Sequence, residues 1–278
     1  MLTWVEPGRR LPDASRAMRE PNGLLAAGRD LSPQRLLEAY RGGIFPWYTA
    51  GQPVLWWSPD PRMVLFLDEF KLSRSLSKTL RRIRREGSWR VELDRDFEAT
   101  MRMCAQPRPD QDGTWITPDI VAAYVGLHRM GHAHSVEVHE GDVLVGGLYG
   151  VSIGRMFYGE SMFARRPDAS KCALAALVAL LREHDFSVID CQQATSHLAS
   201  LGGREIPRDA FLDRVAHLTA QEVQDGLEES PPRTGPLEAV QERQHGFTGP
   251  GGDECRGPER PGSEVRPGEG VRAEAGLE

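Results

Sequence analysis

HSVEVHEGDVLVGGLYGVSIGRMFYGESMFARRPDASKCALAALVALLREH, residues 134–184, decides the fold. Three apolar runs are parted by turn signals at Glu140-Gly141-Asp142 and Ile153-Gly154, so residues 134–163 read as strand, turn, strand, turn, strand. Residues 168–184 follow as a helix that is apolar nearly all round, which places it in a core. Its run CALAALVALL, residues 172–181, is too short to cross a bilayer and suits a buried helix. SVIDCQ (187–192) returns as a strand. Working outward, MVLFL (63–67) reads as a strand and residues 72–87 as a helix, with Ser73 as cap and Gly87 as stop. Residues 96–105 and 117–131 are further expected helices. RDAFLDRVAHLTAQEV (208–223) is amphipathic, with Phe211, Leu212, Val215 and Leu218 on one face. Residues 61–225 therefore read as one mixed α/β domain.

Residues 1–60 differ in texture, being rich in Gly, Pro and Trp. Within them Ser32 caps a short helix, Pro33 takes its first position and Gly42-Gly43 stops it. FPWY and WWSPDPR are expected to be extended and turn-rich, because residues before proline avoid the helical region. At the other end, residues 226–278 hold 11 Asp/Glu against 6 Lys/Arg, and Gly and Pro fill 18 of these 53 positions; they read as a disordered acidic tail. Most of the chain's net charge of −6 lies in that tail, so the body is near neutral. A near-neutral body can still hold phosphates where Arg clusters locally. The four cysteines form no CxxC pair, and the N-terminus lacks the apolar stretch of a signal peptide, so a reducing cytoplasm is the expected compartment.

Four constellations could carry chemistry. In the helix 72–87, Leu72, Leu76, Leu80 and Ile83 form a core face, and Arg74, Lys78, Arg81 and Arg85 share a second face flanked by Arg82 and Arg84. This is either a solvated face or a phosphate-binding stripe. Asp190 and Gln192, two apart on a strand, point to the same side, with Ile189 and Cys191 on the other. They are either a structural hydrogen-bonded pair or a polar pair that handles protons near a substrate. Glu160 sits among apolar residues, where a carboxylate is either structurally paired or shifted in pKa for function. Trp47, Trp56, Trp57 and Trp115 read as exposed and could stack on bases, with core packing as the alternative. His132, His134 and His139 lack a supporting cluster at ligand spacing, so no metal is expected. Cys191 has no cue for thiolate activation. Neither GxGxxG nor GxxxxGK[ST] occurs between a strand and a helix, so no nucleotide cofactor is expected.

The motif string goes further. REPNGLLAAGRDLSPQRLLEAYRGGIFPWY (19–48), PVLWWSPDPR (53–62), SRSL (73–76), GTWITPDI (113–120), AYVGLHRMGHAHSVEV (123–138), LVGGLYGV (144–151), FYGESMFARRPDASK (157–171), IDCQ (189–192) and HLASLGGREIPR (197–208) resemble the leucyl/phenylalanyl-tRNA–protein transferases. The resemblance covers about residues 19–215 and omits the tail. It departs at Arg29 (a second glycine is usual), Asp168 (usually Asn) and Ala164 (usually Ser), which touches the local turns at Arg29 and Asp168. It implies a small N-terminal α/β domain over residues 1–60 and an acetyltransferase-like (GNAT-like) fold for residues 61–225. It also implies transfer of Leu or Phe, and less readily Met, from aminoacyl-tRNA to proteins with N-terminal Arg or Lys, creating a degradation signal. A cofactor-free, monomeric enzyme remote from membranes is expected. The resemblance places a proton-relay pair at Asp190 and Gln192 and an essential glutamate at Glu160. Adenosine-stacking tryptophans fall at Trp47 and Trp115. The side-chain pocket falls at Leu148, Phe157, Met162 and Leu174, with Leu177 and Leu181 further along the same helix. The basic stripe Arg74, Lys78, Arg81, Arg82 and Arg85 becomes a tRNA contact.

This fits the chemistry of the residues. The attacking α-amine has a pKa near 8 and must be neutral to attack an ester. Gln192 could position it, with Asp190 polarising Gln192; whether Asp190 is a base or the tRNA hydroxyl assists is left open. An apolar pocket favours Leu or Phe through burial, at about 0.8 kcal/mol per CH₂. An acyl-CoA-dependent acetyltransferase would want a Gln/Arg-x-x-Gly-x-Gly/Ala loop opening a helix, which does not occur. A non-catalytic RNA-binding protein would leave the polar strand pair unexplained.

Overall fold

The computed structural model describes residues 2–107 and 114–221. The expected tail, and the last two residues of the helix expected over 208–223, lie outside the described residues. In chain order the first elements are β1 (Thr3–Val5), β2 (Leu24–Gly28), α1 (Pro33–Arg41), β3 (Phe45–Pro46) and β4 (Val54–Trp57). Then come β5 (Arg62–Phe66), α2 (Arg74–Glu86), β6 (Trp89–Leu93), α3 (Phe97–Cys104) and α4 (Pro118–Arg129). The rest are β7 (Ala133–Glu140), β8 (Val143–Ile153), β9 (Met156–Ala164), α5 (Ala169–Glu183), β10 (Val188–Gln192), α6 (Ser196–Ser200), β11 (Arg204–Ile206) and α7 (Arg208–Thr219).

The expected caps hold. The Ser32 hydroxyl accepts from the Arg35 amide with Pro33 opening α1, and the Ser73 hydroxyl accepts from the Leu76 amide at the start of α2. Gly87 ends α2 in the left-handed region at φ 59°, where glycine carries no Cβ penalty. Asp168 also takes a positive φ (66°), a conformation Asn and Asp tolerate better than most residues, so the chain turns into α5 despite the departure there. Its carboxylate accepts from the Thr79 hydroxyl of α2 (3.0 Å) and from Lys171 (3.0 Å). Arg29 lies over the exposed Trp4 ring, 5.9 Å from its centroid.

Two mixed sheets result. The first has the order β1-β2-β4-β3, the second β11-β5-β10-β9-β8-β7-β6. The meander of residues 134–163 is the antiparallel β7-β8-β9, and β10 lies parallel to β9. Strands β2 and β6 are not anticipated by the sequence reading, although Trp89-Arg90-Val91-Glu92-Leu93 has the alternation that could have revealed β6.

Apolar side chains gather on the two faces of the large sheet. One face carries α5 and the core side of α2: Leu76, Leu80 and Ile83 pack with Phe157, Met162, Leu174, Leu177, Leu181 and Ile189. The other face is continuous with the small sheet, so that Tyr40, Phe45, Trp56, Tyr124, Tyr149, Tyr158, Val188 and Phe211 share one core. Trp56, expected to be exposed, is 1% exposed: it faces inward on the small sheet and is core, not a stacking platform. Gly146 of β8 lets α5 come close, since a Cβ there would lie 2.4 Å from Ala169 Cβ. Gly146→Ala should therefore cost about 1–3 kcal/mol of unfolding free energy through overpacking, read by urea denaturation. An unchanged midpoint would show that α5 can lift off the sheet freely.

Candidate active site

Strands β9 and β10 pair at Ile189 with Phe157 and at Asp190 with Tyr158, and their ladder stops there although β9 runs on to Ala164. Beyond that point a side-chain bond bridges them: the Gln192 amide Nε2 donates to Glu160 Oε1 at 2.8 Å. Both residues owe their placement to irregular backbone. The β8–β9 register shifts between Tyr149 and Gly150, opposite Ser161 and Gly159, which makes Glu160 the extra residue of a bulge. The β10–β5 register shifts between Asp190 and Gln192, and Gln192 takes φ 62°. A positive φ is strained for glutamine, by about 1–3 kcal/mol. It is held by Asp190, whose Oδ1 accepts the Gln192 amide N–H at 2.9 Å.

Asp190 is fully buried and meets Arg62 in two parallel bonds, Nε to Oδ1 at 2.8 Å and Nη2 to Oδ2 at 2.6 Å. The guanidinium is buried too, lies between the Phe45 and Phe211 rings (4.7 and 4.5 Å to the centroids) and donates Nη1 to the Gly43 carbonyl at 3.2 Å. Both Asp190 oxygens are thus occupied. The side chain that touches the Gln192 side chain is Glu160, while Asp190 bonds the Gln192 main chain, not the side chain it was expected to polarise.

Glu160, 3% exposed, accepts from Tyr40 Oη at 2.7 Å (Oε1) and from Tyr124 Oη at 3.2 Å (Oε2), besides Gln192. Burial lifts its pKa to about 7 against the opposing Tyr40 bond, with the nearby Asp190 charge adding to the rise. Burial likewise pushes the Tyr40 and Tyr124 hydroxyls well above their usual range, so both stay protonated donors. The sequence reading missed Arg62, Tyr40 and Tyr124. The two tyrosines are 120 and 36 positions from Glu160, and no local spacing links them to it.

Trp47 and Trp115 are half-buried beside the same core. Tyr48, next to Trp47, hydrogen-bonds Thr117, two residues after Trp115, which brings the two tryptophan segments together. Trp57 packs edge-on to Trp47 at 5.6 Å and donates Nε1 to its carbonyl at 2.7 Å. Leu148, Phe157, Met162, Leu174, Leu177 and Leu181 are all buried, on the opposite face of the sheet from Glu160. Arg74, Lys78, Arg81, Arg82 and Arg85 are exposed along α2, where Arg82 and Arg85 approach Glu86 at 3.5 and 3.4 Å. Cys191 faces the α5 side, and burial pushes its thiol up. His134 pairs with Asp94 (2.7 Å) and His139 faces Glu92 (3.1 Å).

A family model described as leucyl/phenylalanyl-tRNA protein transferase matches residues 64–216, and the model of that transferase's N-terminal domain matches residues 29–60. A Paraburkholderia xenovorans protein named leucyl/phenylalanyl-tRNA–protein transferase is 60% identical over 224 residues, which are 79% of this chain and 90% of that protein. A Cupriavidus metallidurans protein of the same name is 60% identical over 225 residues, 80% of this chain and 90% of its own. The chain belongs to the leucyl/phenylalanyl-tRNA–protein transferase family. It is an enzyme, an aminoacyltransferase acting between aminoacyl-tRNA and protein. Among solved structures, L-PGS from Bacillus licheniformis covers 80% of this chain and 73% of its own at 10% identity and a TM-score of 0.35, too low to bear on fold or function. No helix among the described residues of this transferase is long and apolar enough to cross a membrane.

The buried pair gives the site a stability test. Asp190→Asn strands the Arg62 charge and should lower unfolding free energy by about 3–5 kcal/mol in urea titrations. The combined Arg62→Met, Asp190→Leu variant should lose less than either single change. A single-variant loss below about 1 kcal/mol would mean the pair behaves like a surface ion pair.

Proposed function

We propose that this enzyme moves Leu or Phe, and less readily Met, from aminoacyl-tRNA to the α-amine of proteins that begin with Arg or Lys, and that Glu160 and Gln192 are its catalytic pair. The observation that carries this reading is the Gln192–Glu160 bond spanning the gap where the β9–β10 ladder ends. With Nε2 committed to Glu160, Gln192 Oε1 is left to accept an N–H of the incoming amine. The amine nitrogen bonds to the ester carbonyl carbon, the bond to the tRNA oxygen breaks, and the proton lost by the amine goes to the leaving hydroxyl. Ionised Glu160, whose pKa of about 7 matches working pH, orients and polarises Gln192 and serves as the local proton sink. The ester is already activated, so orientation of the two substrates supplies much of the acceleration. Asp190, locked by Arg62, holds Gln192 rather than acting as a base.

In this reading Leu148, Phe157, Met162 and Leu174, backed by Leu177 and Leu181, receive the transferred side chain. Trp47 and Trp115 stack on the terminal adenosine, and the cations of α2 hold tRNA phosphates. We assign residues 1–60 to a small N-terminal domain and residues 61–225 to an acetyltransferase-like catalytic domain; the parallel β9–β10 pair that stops short supports the latter. The enzyme works as a monomer in the cytoplasm, away from membranes, and its products are marked for degradation.

Glu160→Gln keeps size and removes the ionisable group, so single-turnover transfer of Leu to an Arg-starting peptide at saturating charged tRNA should fall by about 10²–10⁴-fold. Binding of a non-hydrolysable aminoacyl-adenosine should stay within a few-fold. A near-normal transfer rate would leave positioning, or the tRNA's own hydroxyl, as the better account. For the basic helix, the Arg74→Ala, Lys78→Ala, Arg81→Ala triple variant should flatten the log–log salt dependence of tRNA binding by about 0.7–0.9 per lost phosphate contact. An unchanged slope would make α2 a plain solvated face.

A further inference from the structure

We infer that Tyr40 and Tyr124 are positioning residues that keep Glu160 in its ionised form, so that two helices far apart in sequence set the pH at which transfer operates. The geometry is specific. Tyr40 comes from α1 and Tyr124 from α4, both rings are fully buried, and each hydroxyl reaches a different oxygen of the same carboxylate. The two hydroxyls also touch, and because each has a single proton, donation by both to ionised Glu160 leaves no hydrogen for that contact. Tyr40 is held in turn: its backbone carbonyl accepts from Tyr158 Oη at 2.7 Å, and its ring lies 4.8 Å from that of Tyr158.

The groups around Glu160 leave it dependent on these two donors. Facing it are Tyr40 from α1, Tyr124 from α4, Tyr149 from β8, and Asp190 and Gln192 from β10, with Arg62 of β5 behind Asp190. Arg62 is paired with Asp190, and its charge favours ionised Glu160 by less than the Asp190 charge opposes it. Among the described residues the Tyr149 hydroxyl is buried without a hydrogen-bond partner and gives the carboxylate no bond. Among the same residues only neutral donors contact the Glu160 oxygens, and two of the three are these tyrosines. A hydrogen bond to the charged form stabilises that form, so each tyrosine opposes the rise that burial imposes. The sign follows: the active form is the ionised one, it is lost as pH falls through the Glu160 pKa, and removing a donor moves that loss to higher pH.

This rests on the proposed role of ionised Glu160. The test measures single-turnover peptide transfer by the full-length enzyme from pH 5.5 to 9, for wild type, Tyr40→Phe, Tyr124→Phe and Glu160→Gln. The amine's own titration is common to all and cancels in the ratio of variant to wild type. For each Tyr→Phe variant the ratio should approach one at high pH and fall by about tenfold at low pH, as a shift of about one pH unit requires for one hydrogen bond to a charged group. A ratio that is depressed but flat with pH would mean the tyrosines are merely structural, and would overturn the inference. If Glu160→Gln keeps the wild-type acid limb, the proposed role of Glu160 fails instead, and the two failures are told apart. 3-Fluorotyrosine placed at position 40 alone preserves the packing and strengthens the donor; it should move the acid limb to lower pH, and no movement would count against the inference even if Tyr40→Phe did not fold.

Discussion

Arg62 and Asp190 close a two-pronged ion pair inside the protein, and the rest of the site is arranged around it. Two charges removed from water cost several kcal/mol each unless every polar atom is met. Here they are met: the guanidinium by Asp190, the Gly43 carbonyl and two aromatic faces, the carboxylate by Arg62 and the Gln192 amide. Those partners come from the segment after α1, from β3, β5, β10 and α7. The pair therefore ties the small sheet's end of the chain to its last described helix. Gly43 shows how tight the joint is. It has φ 68°, and a Cβ there would stand 2.4 Å from Leu212 Cδ2. Only glycine lets the carbonyl reach Arg62 while α7 stays in place.

From this joint the constraint passes outward. The Asp190 side chain fixes the Gln192 backbone in a conformation glutamine otherwise avoids, and that conformation sends the Gln192 amide across to Glu160. A bulge on β9 presents Glu160 to meet it. Neither feature belongs to a regular ladder. Both fall where β9 and β10 stop pairing, which the proposed reading makes the place where substrate meets them.

What the sequence discloses about this arrangement depends on range. The meander, the buried helix and the capped helices are local patterns, and the structure has them: Ser32 and Ser73 cap, Gly87 stops, and the leucines of α2 face inward. The shared side of Asp190 and Gln192 was also legible from period two, although the bulge means that regular alternation is not what delivers it. Arg62 closes the proline-rich WWSPDPR, and Tyr40 lies inside the short helix after Ser32. Their meaning comes from partners 128 and 120 positions away. Trp56 misleads for the same reason, because its local sequence gives no hint of the core it shares with Tyr40 and Phe45.

On the proposed reading, the two buried carboxylates separate holding from reacting within one site. They share one neighbourhood and one intervening residue, Gln192, yet their counter-groups differ in kind. Asp190 faces a permanent cation in bidentate contact, and protonating it would break a buried ion pair. Among the described residues Glu160 takes hydrogen bonds only from dipoles: two tyrosine hydroxyls and one amide. Dipoles stabilise a charge without cancelling it, so burial still pushes the Glu160 pKa up, to about 7. A carboxylate held by dipoles can change state near neutrality, and on the proposed reading Glu160 is the group that does so. Placing a cation against Glu160 as well would leave the same side chains in place and produce a site with two anchors and no group free to take a proton.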